Sequence, residues 1–90
     1  CLKKMKLFYW KETVRGREKM EIKLNHRVVT AVASLRINGQ EISWTTDWGS
    51  ICIDQLQEDD ENLIELAAMV PADLSWTEIK KNAILSYNVF

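Results

Sequence analysis

The stretch Glu-Asp-Asp-Glu-Asn-Leu-Ile-Glu-Leu-Ala-Ala-Met-Val-Pro, residues 58–71, decides the fold class of this chain. Its apolar residues recur at helical spacing, so we expect one helical face to carry Leu63, Ile64, Leu66, Ala67 and Val70. The acidic residues 59–61 stand where a helix dipole stabilises anions, and Pro71 ends the segment. The pattern predicts a helix in the second half of the chain.

A second helix is predicted directly after this one. Ser75-Trp76-Thr77-Glu78 has the form of a capping box, with Ser75 as N-cap and Glu78 reaching back to it. The inward face of this helix is predicted to carry Trp76, Ile79, Ala83 and Tyr87.

The first half of the chain has the pattern of strands. Residues 5–10 are rich in β-forming side chains, and residues 20–24 alternate apolar and polar side chains with period two. Gly16 lies between them and allows the chain to reverse, which predicts a first hairpin. Residues 28–37 are rich in β-branched side chains and run into Asn38-Gly39, a strong signal for a hairpin turn.

The predicted return strand is residues 41–45, and residues 51–53 follow a turn at 47–50 as a further short strand. We therefore predict an α+β fold, in which an antiparallel sheet of four or five strands is followed by two helices packed on one face. The 90 residues are expected to form one such domain, with residues 1–4 as a tag or a flexible N-terminus.

Composition is that of an ordinary folded domain, with 47% hydrophobic and 28% charged residues. No apolar run is long enough to predict a transmembrane segment. Cys52 lies in an apolar stretch and is predicted to be a small buried side chain in a reducing compartment, which favours the cytoplasm. For Cys1, processing, a fragment, added residues before Met5 and a lipidated N-terminus all remain open.

The search for catalytic chemistry gives little. The single His26 has no orienting carboxylate or nucleophile at a suggestive spacing, and we expect it in a turn or at a strand edge. The histidine and cysteines lack zinc-ligand spacing, and the acidic residues 58–61 lack the pattern of a calcium loop. We expect neither enzymatic activity nor a metal or cofactor.

Charge is divided unevenly along the chain. Residues 1–40 hold ten Lys and Arg against three Glu, a balance of +7, whereas residues 41–90 hold two Lys against ten acidic residues, a balance of −8. Such a division can orient a charged partner, or the two halves can neutralise each other across the fold.

Two binding hypotheses follow from aromatic and basic residues. The first is a non-catalytic binding or regulatory module that acts by protein–protein contact, homo-oligomers included; its candidate contact residues are Phe8, Trp10, Trp44 and Trp48. The alternative is single-stranded nucleic-acid binding on an aromatic sheet face. Its candidate residues are Lys6, Lys11, Arg15, Arg17, Lys19, Lys23 and Arg36.

Overall fold

The computed structural model describes residues 4–47 and 49–90, and within that range it gives no side-chain account of residues 46 and 47. The described chain forms eight strands and one short helix. They are β1 (Met5–Arg15), β2 (Met20–Leu24), β3 (Ala31–Ile37), β4 (Gln40–Glu41), β5 (Thr45–Asp47), β6 (Ser50–Ile53), β7 (Glu61–Pro71), α1 (Trp76–Asn82) and β8 (Ile84–Val89). The domain is therefore mostly β-structure.

The strands form two antiparallel sheets. Sheet A has the order β1-β7-β3-β4, and sheet B has the order β5-β6-β2-β8. Buried side chains of both sheets join in a single core, which makes the fold a two-layer sandwich. The predicted α+β fold is wrong, because the described residues hold one short helix and no sheet face covered by two helices.

The first predicted helix is instead β7, the central strand of sheet A. It pairs with β1 on one side and with β3 on the other over most of its length. Its even-numbered residues Asn62, Ile64, Leu66, Ala68 and Val70 are buried. A central strand carries apolar residues on both faces, and such a run fits a helical period as well as a strand period. Pairing with β1 and β3, which are distant in sequence, makes residues 61–71 a strand rather than a helix.

The predicted hairpins have different outcomes. Asn38 and Gly39 have φ of 54° and 81°, and Arg36 pairs with Glu41 across the turn, so the predicted hairpin turn is confirmed. The predicted return strand 41–45 is wrong, because β4 covers only Gln40–Glu41 and Thr45 begins β5 in the other sheet. The hairpin predicted around Gly16 is wrong, because β1 and β2 belong to different sheets. Residues 16–19 carry the chain from one layer to the other.

Helix α1 lies between β7 and β8 and links the two sheets. The N-cap prediction is confirmed, since the Glu78 backbone N–H donates to Ser75 Oγ at 3.2 Å. Ile79 and Ala83 are buried, as predicted. The prediction that Trp76 faces inward is wrong, since Trp76 is 46% exposed, and Tyr87 lies in β8 because the helix ends at Asn82. No helix among the described residues has the length and apolar character to cross a membrane.

The fully buried Asn62 holds the start of β7 against three neighbouring segments: the connection from β6, the turn at Asn38, and Gly16. Its Nδ2 donates to the carbonyls of Gln57 and Asp60, both at 3.0 Å. Its Oδ1 accepts from the Gln57 backbone N–H at 3.0 Å and from Asn38 Nδ2 at 3.1 Å. Gly16 packs against the same group: a Cβ there would collide with the Gln57 carbonyl. This close approach explains the glycine at position 16.

We expect Asn62→Ala to lower the free energy of unfolding by about 2–4 kcal/mol, because four part-buried hydrogen bonds are lost and the fully buried side chain is truncated. Urea unfolding monitored by tryptophan fluorescence measures this loss. Asn88→Ala, at an exposed position of β8, serves as the control and should change stability by less than about 0.5 kcal/mol. Equal effects of the two substitutions would contradict the structural role of Asn62.

Candidate functional site

The aromatic residues predicted to contact a partner lie mainly at the core. Phe8 is only 5% exposed, and Trp10 and Trp44 are half-buried against the core. Trp10 also meets Tyr87 edge to face, with ring centroids 5.4 Å apart. Trp48 lies outside the described residues. The outward-facing side chains of β1 are therefore the neighbours of Phe8 and Trp10.

Those neighbours, Leu7 and Tyr9, form the exposed apolar part of sheet A. Tyr9 is 71% exposed and Leu7 is 39% exposed. Across the strands, Leu7 pairs with Met69 and Tyr9 with Ala67. Side chains of successive strand residues alternate between faces, so all four lie on the outer face, opposite the core.

The edge of β1 beside these residues is open. At the two ends of the β1–β7 ladder, the Ala72 N–H donates to the Lys4 carbonyl at 3.0 Å and the Gly16 N–H donates to the Asp60 carbonyl at 2.8 Å. The register between them is unbroken. Even-numbered residues of β1 therefore direct their N–H and C=O groups toward β7. The odd-numbered residues direct theirs away from it; these are Met5, Leu7, Tyr9, Lys11, Thr13 and Arg15.

Within the described residues, no strand pairs with β1 on its other side. We call this open edge, together with Leu7, Tyr9, Ala67 and Met69 on the outer face, the edge surface. An unbroken strand edge with unpaired backbone groups is a template for pairing with another chain. Natural sheets commonly protect such edges with short strands, proline, bulges or charged side chains. β1 is long, unbroken and free of proline, and its charged side chains are Lys6, Lys11, Glu12 and Arg15.

The basic residues of the nucleic-acid hypothesis are not gathered on one face. Lys6 is half-buried; its Nζ donates to the Leu74 carbonyl at 2.7 Å and lies 4.1 Å from the centre of the Trp76 ring. Arg15, Arg17 and Lys19 are exposed at the end of β1 and in the connection to β2. Lys23 is exposed on β2, in the other sheet.

Lys11 and Arg36 do come together, but with an acidic residue between them. In the register of sheet A, Lys11 pairs with Glu65 and Glu65 pairs with Arg36, so the three form one row across β1, β7 and β3. Arg15 likewise faces Glu61. Opposite charges on directly opposed strand positions attract each other. The acidic strand β7 thus offsets the basic strands on either side of it.

A shallow groove of about 200 Å³ runs over this part of sheet A, with Tyr9, Lys11, Arg36 and Glu65 in its lining. It combines an exposed aromatic ring with charges of both signs.

Two further residues considered from the sequence, Cys52 and His26, lie on the surface. Cys52 is exposed on β6, so the prediction that it is buried is wrong. Its neighbours Ile51 and Ile53 point into the core, and strand alternation turns Cys52 outward. His26 is exposed in a turn, as predicted. Among the described residues, no three potential metal ligands cluster.

The sequence does contain a signal that Leu7 and Tyr9 lie on the solvent face of β1. Beyond residue 10, β1 continues with polar Lys11, Thr13 and Arg15 at odd positions, and with charged Glu12 and apolar Val14 at even ones. Extending the strand to Arg15 assigns the even positions to the core and the odd positions to solvent. The apolar run 7–10 alone does not distinguish the two faces.

Comparison with protein-family models, with curated proteins and with solved structures gives no match to this chain.

Tyr87 is a titratable residue of β8 whose ring contacts Trp10 of β1. Although Tyr87 is 39% exposed, partial desolvation raises the pKa of its hydroxyl above the ordinary value of 10.0, and Glu12 raises that pKa further through its negative charge and as a hydrogen-bond acceptor. The Trp10–Tyr87 ring contact ties β8 of sheet B to β1 of sheet A.

The raised pKa predicts a loss of stability at high pH. Above about pH 10 the unfolded chain gives up the Tyr87 proton while the folded chain keeps it, so the free energy of unfolding falls as pH rises. The fall stops once the folded-state phenol also ionises. In Tyr87→Phe this component should vanish, whereas Tyr9→Phe should retain it. Urea unfolding at a series of pH values measures the effect, and identical pH dependence in wild type and Tyr87→Phe would contradict it.

Proposed function

We propose that this domain is a non-catalytic binding module that acts by protein–protein contact, self-association included, through the edge surface. The single observation that carries the proposal is the open edge of β1 beside the exposed Leu7 and Tyr9. Main-chain groups of the edge supply hydrogen bonds to an added strand, and the adjoining side chains supply apolar contact.

The lengths of the sheet edges single out β1. The other edge strands are β4 with two residues, β5 with three and β8 with six, whereas β1 has eleven. Short edge strands discourage pairing with other chains because they offer few backbone groups. An eleven-residue edge without a bulge offers many more, so it is the edge best suited to a partner.

The charges around the edge surface support the same choice. The row Lys11–Glu65–Arg36 and the pair Arg15–Glu61 balance positive and negative side chains. A surface of mixed charge around an apolar centre is typical of protein–protein contacts. A nucleic-acid site, in contrast, usually concentrates positive charge.

Self-association tests this proposal directly. Sedimentation equilibrium from about 1 µM to about 1 mM should show a reversible oligomer for the wild-type chain. Tyr9→Lys places a charge at the centre of the edge surface and should weaken association by at least about tenfold. The change is made at an exposed residue, so folding should be retained, which circular dichroism checks.

Leu85→Lys is the matched control, because Leu85 is 62% exposed on β8 of the other sheet. It should associate like wild type. A wild-type chain that remains monomeric across the whole range would contradict the proposal, and so would equal weakening by the two substitutions.

Nucleic-acid binding is the second candidate, and one observation favours it: the exposed Tyr9 ring shares a groove with Lys11 and Arg36. Bases of a single strand stack on such rings, and neighbouring cations contact the phosphates. Glu65 lies between the two cations and opposes a polyanion.

Fluorescence anisotropy with labelled single-stranded DNA and RNA tests this candidate. It predicts binding at low salt that weakens steeply as salt rises, and that Glu65→Gln strengthens while Tyr9→Ala weakens. Absence of binding at low salt would contradict it.

A further inference from the structure

We infer that the partner of the β1 edge is β1 of a second copy of this chain, paired antiparallel with Tyr9 on the two-fold axis. The inference rests on the proposed function and names its partner. The resulting sheet would run continuously through both copies, with eight strands contributed by two copies of the four-stranded sheet A.

Backbone geometry limits the ways in which two β1 strands can pair. Odd-numbered residues carry the outward N–H and C=O groups, so they must form the hydrogen-bonded pairs of a new antiparallel ladder. A two-fold axis then relates the strands so that each contact occurs twice. These two conditions leave a small set of registers, each defined by the residue on the axis. Those that pair at least nine of the eleven residues of β1 are centred on Tyr9, Trp10 or Lys11.

Charge complementarity selects among these registers. With Tyr9 on the axis, Lys6 of each copy lies opposite Glu12 of the other. The Lys6 ammonium also donates to the Leu74 carbonyl and the Glu12 carboxylate also acts on Tyr87, so each would add a second contact of opposite charge across the axis. With Lys11 on the axis, two lysines face each other directly, which is destabilising. With Trp10 on the axis, Lys6 faces Val14 and the two opposite-charge pairs are lost.

The Tyr9-centred register also covers the apolar side chains of β1 that are exposed in the single chain, Leu7 and Tyr9. The two Tyr9 rings, each 71% exposed in the single chain, become direct neighbours across the axis. Leu7 of each copy lies beside the aliphatic stem of Lys11 of the other. The even-numbered pairs, Lys6 with Glu12 among them, occupy the closer, non-hydrogen-bonded positions of the ladder, where side chains approach best.

Disulfide trapping tests this register. In a chain whose two cysteines are replaced by serine (C1S and C52S), Tyr9→Cys places two thiols on directly opposed positions, within reach of a disulfide. Mild oxidation should give a covalent dimer on non-reducing gels. Thr13→Cys is the control, because the two Thr13 positions lie eight residues apart along the ladder, about 27 Å.

A mixture of two chains tests the register a second time. Thr13 of one copy faces Met5 of the other, so a chain with Thr13→Cys and a chain with Met5→Cys should cross-link to each other, as mass spectrometry identifies. Both readouts together support the inference.

The outcomes separate the two proposals. If wild type associates in sedimentation but Tyr9→Cys gives no covalent dimer, or if Thr13→Cys cross-links to itself as readily, the inferred register is overturned and the proposed function stands. If wild type does not associate at all, both are overturned.

Discussion

The structure depends on the pairing of β7 with two strands at once. The backbone N–H and C=O groups of even-numbered β7 residues point toward β1, and those of odd-numbered residues point toward β3. On the β3 side the Asn38 N–H donates to the Leu63 carbonyl, and on the β1 side the Gly16 N–H donates to the Asp60 carbonyl. This double ladder makes β7 the centre of sheet A. It also leaves β1 at the border of the sheet, with half of its backbone groups directed outward.

The same pairing explains how the chain manages its uneven charge. β7 comes from the acidic half, whereas β1 and β3 come from the basic half. Interleaving them places Glu65 between Lys11 and Arg36 and Glu61 beside Arg15. The division along the sequence is thus largely cancelled on the outer face of sheet A. With the charges balanced, the main feature of this outer face is the pair of exposed apolar side chains Leu7 and Tyr9.

Local signals in the sequence predicted local structure correctly. Asn38-Gly39 specifies its turn because both residues tolerate positive φ, and Ser75 caps a helix through a contact three residues away. The strands at residues 5–10, 20–24 and 51–53 were also predicted from β-forming composition and alternation. These features need no distant partner to be recognised.

Features set by distant contacts were not predictable in this way. Residues 61–71 fit a helix until β1 and β3 are placed on either side, and Gly16 suggests a hairpin until its packing against Gln57 and Asn62 is known. The run 7–10 is apolar at every position, so by itself it makes Phe8 and Trp10 candidates for a binding face. The facing sheet buries Phe8 and leaves Tyr9 exposed, an assignment that the sequence favours only when the strand is extended to Arg15.

The central claim is that β1 is an open edge in the single chain, and residue-resolved amide hydrogen exchange tests it most directly. At low concentration, the amides of Phe8, Trp10 and Glu12 should exchange slowly, whereas those of Leu7, Tyr9 and Lys11 should exchange quickly. At high concentration the fast set should become protected. Slow exchange of both sets in dilute solution would contradict the claim, because it would show that the edge of β1 is already paired within one chain.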